Sequence, residues 1–220
     1  MHAYQTTLFA LGEPSVTDRW VTRHHLDELC WVDHADGWLA GADDLLADLA
    51  ETLPWRAGRR PMYGKLVDEP RLHATIDPQQ VARRRILAEI PAALEARYGE
   101  GLTCGFVNYY RNGDDSVAWH ADRIGMHEVD PIVAIVSLGG PRRFSLRPMQ
   151  GDAPSHRFVL NSGDLLVMGG ACQHAWEHAV PKMRSAPPRM SLTYRHIPDG
   201  PNGVWWSDAI TRQDRLAHRH

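Results

Sequence analysis

Hydrophobic positions along the chain fall into two textures. Over residues 43–53 (DDLLADLAETL) they recur at Leu45, Leu46, Leu49 and Leu53, the spacing that gathers apolar side chains on one face of a helix. Asp43 and Asp44 suit the positive end of that helix's dipole, and Pro54 stops it. A second helix is expected from Asp77-Pro78, with Asp as cap and Pro at the first helical position. It runs through QQVARRRILAEIPAALEARYG, with Pro91 kinking or dividing it and Gly99 closing it. From residue 102 the period shortens. Alternating or apolar runs at Leu102–Tyr110, Val117–Asp122, Ile132–Leu138, Arg143–Arg147, Arg157–Leu160, Asp164–Met168, His174–Val180 and Arg189–His196 are parted by turn signals such as Asn112-Gly113 and Asn161-Ser-Gly-Asp164. Eight short strands after two helices predict an α+β fold: a double-stranded β-helix (jelly roll) core with the N-terminal helices packed outside.

The remaining segments lack a clear period. The first 40 or so residues are aromatic and acidic, with Leu8, Phe9, Val16 and Trp20 expected to pack on the main body. Residues 54–77 read as a loop punctuated by Gly58, Pro61, Gly64 and Pro70. The tail carries Trp205-Trp206, expected to fold back on the body. The chain therefore divides into an extension with one helix (1–53), a loop and helix (54–101), the jelly roll (102–197) and a tail (198–220), all within one catalytic domain.

Composition narrows the class. A chain of 220 residues with 43% hydrophobic and 23% charged positions is ordinary for a globular protein with a sizeable core. No apolar run approaches the ~20 residues of a membrane span, and the first residues lack the pattern of a signal peptide. Cys30, Cys104 and Cys172 share no metal-like spacing and read as buried thiols in a reducing cytoplasm. The net charge of −3 gives no global attraction to polyanions. A nucleic-acid partner would need a local patch, for which Arg56-Ala-Gly-Arg59-Arg60, Arg83-Arg84-Arg85 and Arg142-Arg143 are candidates; each can also be read as a solvated face, the favoured reading for Arg83-Arg84-Arg85 inside a helix.

Chemistry concentrates at His120-Ala-Asp122 and at His178. Residues i and i+2 of a strand point to the same side, so one strand aims both His120 and Asp122 at a common point. Two imidazoles and a carboxylate on one face of an octahedral ion leave three positions open, the arrangement of non-haem Fe(II) oxygenases. Zinc is the competing metal, although structural zinc favours four closed ligands, usually with Cys, and no Cys lies near this set. His174 sits four positions before His178; in a strand the two would be about 13 Å apart, which makes His174 a pocket or packing residue rather than a ligand. His127 reads as a loop histidine.

A second constellation closes the chain. Alternation puts Arg189, Ser191, Thr193 and Arg195 on one face and Met190, Leu192 and Tyr194 on the other. Inward guanidiniums are costly without anions, so a small dicarboxylate held at both ends would satisfy them, as would a salt-bridge ladder along the rim. Asn108 and Tyr110 add an amide and a hydroxyl from a neighbouring strand. In residues 54–65, Trp55, Met62 and Tyr63 lie among Arg56, Arg59, Arg60 and Lys65. That mixture suits base stacking and phosphate contact, or else a loop whose aromatics plug the core edge.

The runs Asn108–Asp122, Pro131–Gly139, Trp176–Pro181 and Arg189–Arg195 resemble, in order and spacing, the AlkB family of Fe(II)/2-oxoglutarate dioxygenases, with the likeness extending over roughly residues 54 to 196. It is closest to bacterial relatives of the nuclear DNA-repair members. Pro61-Met62-Tyr63-Gly64 resembles their nucleotide-recognition loop. The resemblance implies Fe(II) on His120, Asp122 and His178. It implies 2-oxoglutarate on Asn108, Tyr110, Arg189, Ser191, Thr193 and Arg195, with Arg195 on the distal carboxylate. Trp55, Met62, Tyr63, Gly64, Trp119 and Arg123 are then the candidates for substrate contact.

The implied reaction consumes O2 and 2-oxoglutarate and hydroxylates an N-methyl carbon on a flipped-out base such as 1-methyladenine or 3-methylcytosine. Formaldehyde, succinate and CO2 leave. Methylated DNA is the implied partner, RNA a second one, and the chain is expected to act as a monomer away from membranes. Two positions depart from the pattern. Ser191 stands where close relatives carry Asn, which predicts a weaker hold on the co-substrate. Arg123-Ile124 stands where relatives carry acidic residues, so selection of cationic bases must come from Glu128 or Asp130, or be reduced. The same oxygenase chemistry on a protein or small molecule, and a non-catalytic nucleic-acid binder, are the competing readings.

Overall fold

In a computed structural model of the chain, residues 11–62, 65–99, 101–122, 131–150 and 155–196 are described. Leu8 and Phe9, Tyr63 and Gly64, the stretch from Arg123 to Asp130 with His127 and Glu128, and the tail with Trp205-Trp206 lie outside the described residues.

In chain order the N-terminal part supplies β1 (Ser15–Val16), β2 (Thr22–His25), β3 (Cys30–Ala35), β4 (Leu39–Ala40), α1 (Ala42–Thr52), β5 (Arg56–Met62), β6 (Lys65–Ala74), α2 (Pro78–Arg83) and α3 (Ile86–Tyr98). The remainder supplies β7 (Leu102–Tyr110), β8 (Val117–His120), β9 (Val133–Gly139), β10 (Arg142–Pro148), β11 (His156–Leu160), β12 (Leu165–Gly170), α4 (Cys172–Ala175), β13 (Trp176–Val180) and β14 (Arg189–His196). Two sheets face each other. The minor sheet has the order β11-β10-β13-β8, the major sheet the order β2-β3-β12-β9-β14-β7-β6-β5. This is the expected jelly roll, and its eight core strands, β7 to β14, are the eight runs read from the sequence.

Alternation along the strands builds two apolar layers. Val133, Ile135, Phe144, Leu146, Leu166, Met168 and Val180 meet between the sheets. The opposite face of the major sheet presents Val107, Ala134, Val136, Leu138, Met190, Leu192 and Tyr194 to Leu45 and Leu49 of α1 and to Ile86, Ile90 and Leu94 of α3. The helices thus cover one side of the large sheet and leave its other side free to form the cleft.

Five expectations need correction. Residues 54–77 are not a loop: β5 and β6 form a hairpin paired to β7, with a register shift between Ala57 and Arg59. The N-terminal segment is not merely draped on the body, because β2 and β3 extend the major sheet beyond β12, while Trp20 is 86% exposed. The second helix breaks at Arg84, whose backbone is extended, not at Pro91, which sits inside α3. The Arg84 guanidinium turns to Asp48 and Thr52 on α1 and to Gln80 on α2, so the break is fixed by interhelical contacts; it is not a solvated face. His174 is exposed on α4, and the strand begins only at Trp176, so it does not share a strand with His178 as expected.

Candidate metal centre and active-site cleft

Strand pairing assembles the centre. β13 lies antiparallel to β8 with His178 directly opposite His120, and the two ring centroids are 4.2 Å apart. β8 ends at His120, so Asp122 is not held by a ladder. Its backbone N–H instead donates to Gln173 Oε1 at 2.9 Å, and Gln173 sits on α4 just before β13. One ligand atom each from His120, Asp122 and His178 lie within 4.8 Å of one another.

The donor chemistry fits a divalent metal. The His120 ring is 2.9 Å from the Ala118 carbonyl at Nδ1, so that nitrogen donates its proton there and Nε2 carries the free lone pair. His120 Nε2 stands 3.7 Å from Asp122 Oδ1, longer than a hydrogen bond and suited to sharing an ion. Burial pushes the His178 pKa down to about 4, with His120 adding to the shift and Asp122 opposing it. At neutral pH its imidazole is therefore uncharged, as a ligand must be. Phe144 stacks on the His178 ring at 5.3 Å and fixes its plane.

A narrow cleft of about 50 Å³ opens from these three residues between the sheets. Asn108, Tyr110, Arg189, Ser191 and Thr193 line it on the β7 and β14 side. Ser191 lies opposite Asn108 in the β14–β7 ladder, and Arg189 opposite Tyr110. Arg189 is 1% exposed, donates from Nε to Ser137 Oγ at 3.1 Å, and leaves Nη2 buried without a partner. Burial depresses its pKa, and the nearby Arg142 adds to the shift. No carboxylate among the described residues pairs with it, so the rim ladder considered above does not form at this position. Arg195 lies at the metal end, with Nη1 3.8 Å from Asp122 Oδ2.

Arg142 belongs here rather than on a solvated face. It is 1% exposed, with its guanidinium 5.8 Å from the Tyr110 ring, and donates to the Asn112 carbonyl. Its Nε and Nη1 are buried without partners.

The substrate candidates divide. Trp119 is 37% exposed and lines an outer cleft of about 260 Å³ with Arg71 and Lys182. Arg147 lies 4.4 Å over the Trp119 ring and pairs with Glu177. Trp55 is not in either cleft. Its indole N–H donates to the Ala50 carbonyl and its ring rests 5.1 Å from Tyr109, on the helix-covered face. It plugs the core edge, because Tyr109 alternates away from Asn108 and Tyr110. Met62 ends β5 at the hairpin tip, paired with Lys65. Tyr63, Gly64 and Arg123 lie outside the described residues.

Sequence reasoning missed Gln173, Phe144 and Arg71. The first two sit beside the metal ligands in space but carry no pattern of their own. Arg71 donates from Nε to Asn108 Oδ1 at 2.9 Å; it was hidden in a stretch read as loop.

A second cluster, His34, Asp36 and Asp164, also brings three ligand atoms within 4.8 Å. It repeats the His-Ala-Asp triplet without the same chemistry. Both Asp164 oxygens already accept hydrogen bonds, Oδ1 from Gly37 N–H and Oδ2 from Asn161 N–H, and Asp36 is 83% exposed. The Asp164 carboxylate, and Asp36 more weakly, raise the His34 pKa against the opposing effect of burial. The group is an ion-paired turn rather than a metal seat.

Residues 19–195 match the family model of the 2OG-Fe(II) oxygenase superfamily. The chain therefore belongs to that superfamily, the oxygenases that use Fe(II) and 2-oxoglutarate. Within the superfamily its curated relatives include AlkB proteins. It is 31% identical over 188 residues to alpha-ketoglutarate-dependent dioxygenase alkB homolog 3 of Bos taurus, covering 76% of this chain and 66% of that protein. It is likewise 31% identical over 185 residues to the Homo sapiens protein of the same name, covering 75% and 65%. A DNA oxidative demethylase ALKBH2 of Arabidopsis thaliana is 32% identical over 114 residues, covering 41% of this chain and 36% of that protein. The chain thus spans just under two thirds of the length of the alkB homolog 3 relatives. A solved Trichoplax adhaerens prolyl hydroxylase in complex with a hypoxia inducible factor peptide fragment shares the fold, with a TM-score of 0.53 and 13% identity over 74% of this chain and 82% of that one. Among the described residues no helix is long and apolar enough to cross a membrane.

Proposed function

We propose that this chain oxidatively demethylates N-alkylated bases in nucleic acid, 1-methyladenine and 3-methylcytosine in DNA first among them, with RNA as a further substrate. The observation that carries the reading is the triad opening onto an arginine-lined cleft, joined to an outer cleft with an exposed indole. The likeness to a protein named as a DNA oxidative demethylase supports the choice of substrate.

His120, Asp122 and His178 would hold the iron. Bound Fe(II) supplies the O2 activation that couples oxidation of 2-oxoglutarate to hydroxylation of a substrate C–H bond. The protein's part is orientation and charge. Gln173 holds Asp122 through its backbone, and the Ala118 carbonyl sets the His120 tautomer. Arg189, Tyr110, Asn108, Ser191 and Thr193 form a cationic, donor-rich slot for a dicarboxylate. Arg195, beside Asp122, belongs to the metal end. The distal carboxylate is therefore assigned to Arg189 instead of Arg195. Trp119, Arg71 and Lys182 flank the outer cleft, where an indole face and two cations suit a base and its phosphate. Ser191, shorter than the Asn of relatives, leaves room beside the co-substrate.

The test is formaldehyde release from a panel of methylated single- and double-stranded oligonucleotides with Fe(II) and 2-oxoglutarate. The expected result is release from wild type and none from His120→Ala. Equal background from both proteins across the panel would refute the reading.

A further inference from the structure

We propose that Arg71 is a positioning residue for the co-substrate. It fixes Asn108 as a hydrogen-bond donor facing the inner cleft and links occupancy of the outer cleft to the grip on 2-oxoglutarate. The inference rests on the reading that the inner cleft takes the co-substrate through Asn108.

An asparagine amide has a donor end and an acceptor end of nearly equal size, and its neighbours decide which way it points. A guanidinium can only donate. Arg71 Nε lies 2.9 Å from Asn108 Oδ1, so the carbonyl end is turned toward β6. The NH2 end is left for the cleft that Asn108 lines. Both carboxylates of 2-oxoglutarate, and its keto oxygen, are acceptors. An amide flipped the other way would set a carbonyl against them.

Arg71 is itself held. Glu69, two residues earlier on the same face of β6, pairs with Arg71 Nη2 at 3.1 Å, and the two side chains are only 16–17% exposed. The Pro70 carbonyl between them accepts from Ser116 N–H, tying this part of β6 to the segment leading into β8. The guanidinium also occupies an unusual place. Arg71 and Val117 are the two residues common to the walls of the inner and outer clefts, and Arg71 is the charged one. A nucleic-acid phosphate or base entering the outer cleft meets the same fork that orients Asn108. By linkage, a ligand that steadies this fork in the orientation that holds Asn108 strengthens co-substrate binding, and the co-substrate does the same in return.

The experiment is a double-variant cycle on the full chain: wild type, Arg71→Ala, Asn108→Ala and the pair. KM for 2-oxoglutarate and kcat are measured as succinate formed, with and without saturating methylated oligonucleotide, and a thermal melt is recorded for each protein. Arg71→Ala is expected to raise KM about tenfold, the loss of one charge-assisted hydrogen bond, with kcat within about twofold. On the Asn108→Ala background it is expected to add less than about twofold, because the residue it acts through is gone. Arg71→Lys, which keeps a donor, is expected to recover most of KM. Oligonucleotide is expected to lower KM in wild type and not in Arg71→Ala.

Independent, multiplying effects in the pair would overturn the proposal. So would a fall in melting temperature with KM unchanged, or an equal response to oligonucleotide in wild type and Arg71→Ala. If wild type itself forms no succinate from 2-oxoglutarate, the co-substrate reading falls first; if it does and the cycle is additive, only the role of Arg71 falls. Should Asn108→Ala not fold, Asn108→Ser serves in the same cycle.

Discussion

Replacing Arg189 by Met should move stability and activity in opposite directions. Arg189 is 1% exposed, and among the described residues its guanidinium has the Ser137 hydroxyl and the Tyr110 side chain as partners, no carboxylate, and one buried nitrogen without an acceptor. Without its ligand the protein therefore carries a poorly compensated buried charge. Met has similar length and no charge, so the ligand-free variant should be as stable as wild type or more so. With 2-oxoglutarate present the ledger reverses. Two charge-assisted hydrogen bonds to a carboxylate, at about 1.5–3 kcal/mol each, amount to about 3–5 kcal/mol after the loss of ideal geometry. That corresponds to a rise in KM for 2-oxoglutarate of about a hundred- to a few thousandfold. The assays are succinate formation against 2-oxoglutarate concentration and thermal melts with and without the co-substrate. In wild type, ligand at a hundred times Kd should add about 2.7 kcal/mol of stability, and in the variant at the same concentration almost none. A KM within threefold of wild type would place the co-substrate elsewhere. A large fall in ligand-free melting temperature would show that the guanidinium has a structural partner and that the charge argument is wrong.

Three other outcomes follow from the geometry. Gln173→Leu removes the acceptor for the Asp122 N–H; metal titration should show affinity reduced about 10- to 100-fold, and unchanged affinity would mean that Asp122 is held by other means. Gly139, at φ +81°, has Leu46 and the Pro188 carbonyl where a Cβ would stand; Gly139→Ala should cost about 2–4 kcal/mol in denaturant melts, and a variant within 1 kcal/mol, on the same order as melt error, would contradict the close approach. His34 has its pKa raised, chiefly by the Asp164 carboxylate. Its stabilisation is complete below the unfolded value of about 6.5 and is lost as pH rises through the folded one. His34→Gln should therefore lower the melting temperature more at acidic than at alkaline pH, and an equal gap at both would remove the ion pair from the account.

What could be read from the sequence was whatever obeyed a short period. The strands from Leu102 to His196 stand out because each buries one face between the sheets, so alternation is enforced. The inward set Arg189, Ser191, Thr193 and Arg195 was legible for the same reason, since Met190, Leu192 and Tyr194 had to go to the helix side. β5 and β6 were not legible. β5 is an edge strand rich in Arg, β6 contains Pro70, and one face of this hairpin borders an open cleft, so no hydrophobic alternation is imposed. Missing that hairpin also hid Arg71. Arg142 was misread because an Arg-Arg pair looks solvated, whereas a strand sends neighbours to opposite faces: Arg143 is exposed and Arg142 is buried. Which arginine meets which end of the cleft depends on the distance to Asp122, a quantity with no trace in spacing along one strand.

The β5–β6 hairpin joins the major sheet along a single border, β6 against β7, while His120 and His178 of the candidate metal centre sit on the opposite sheet. The piece that flanks the outer cleft and the strands that carry the two histidines are thereby separate parts of the fold. On the proposed function, a change at Arg71 reaches the co-substrate through Asn108, whereas a hairpin transplanted from a relative with Arg71 kept should leave the triad in place.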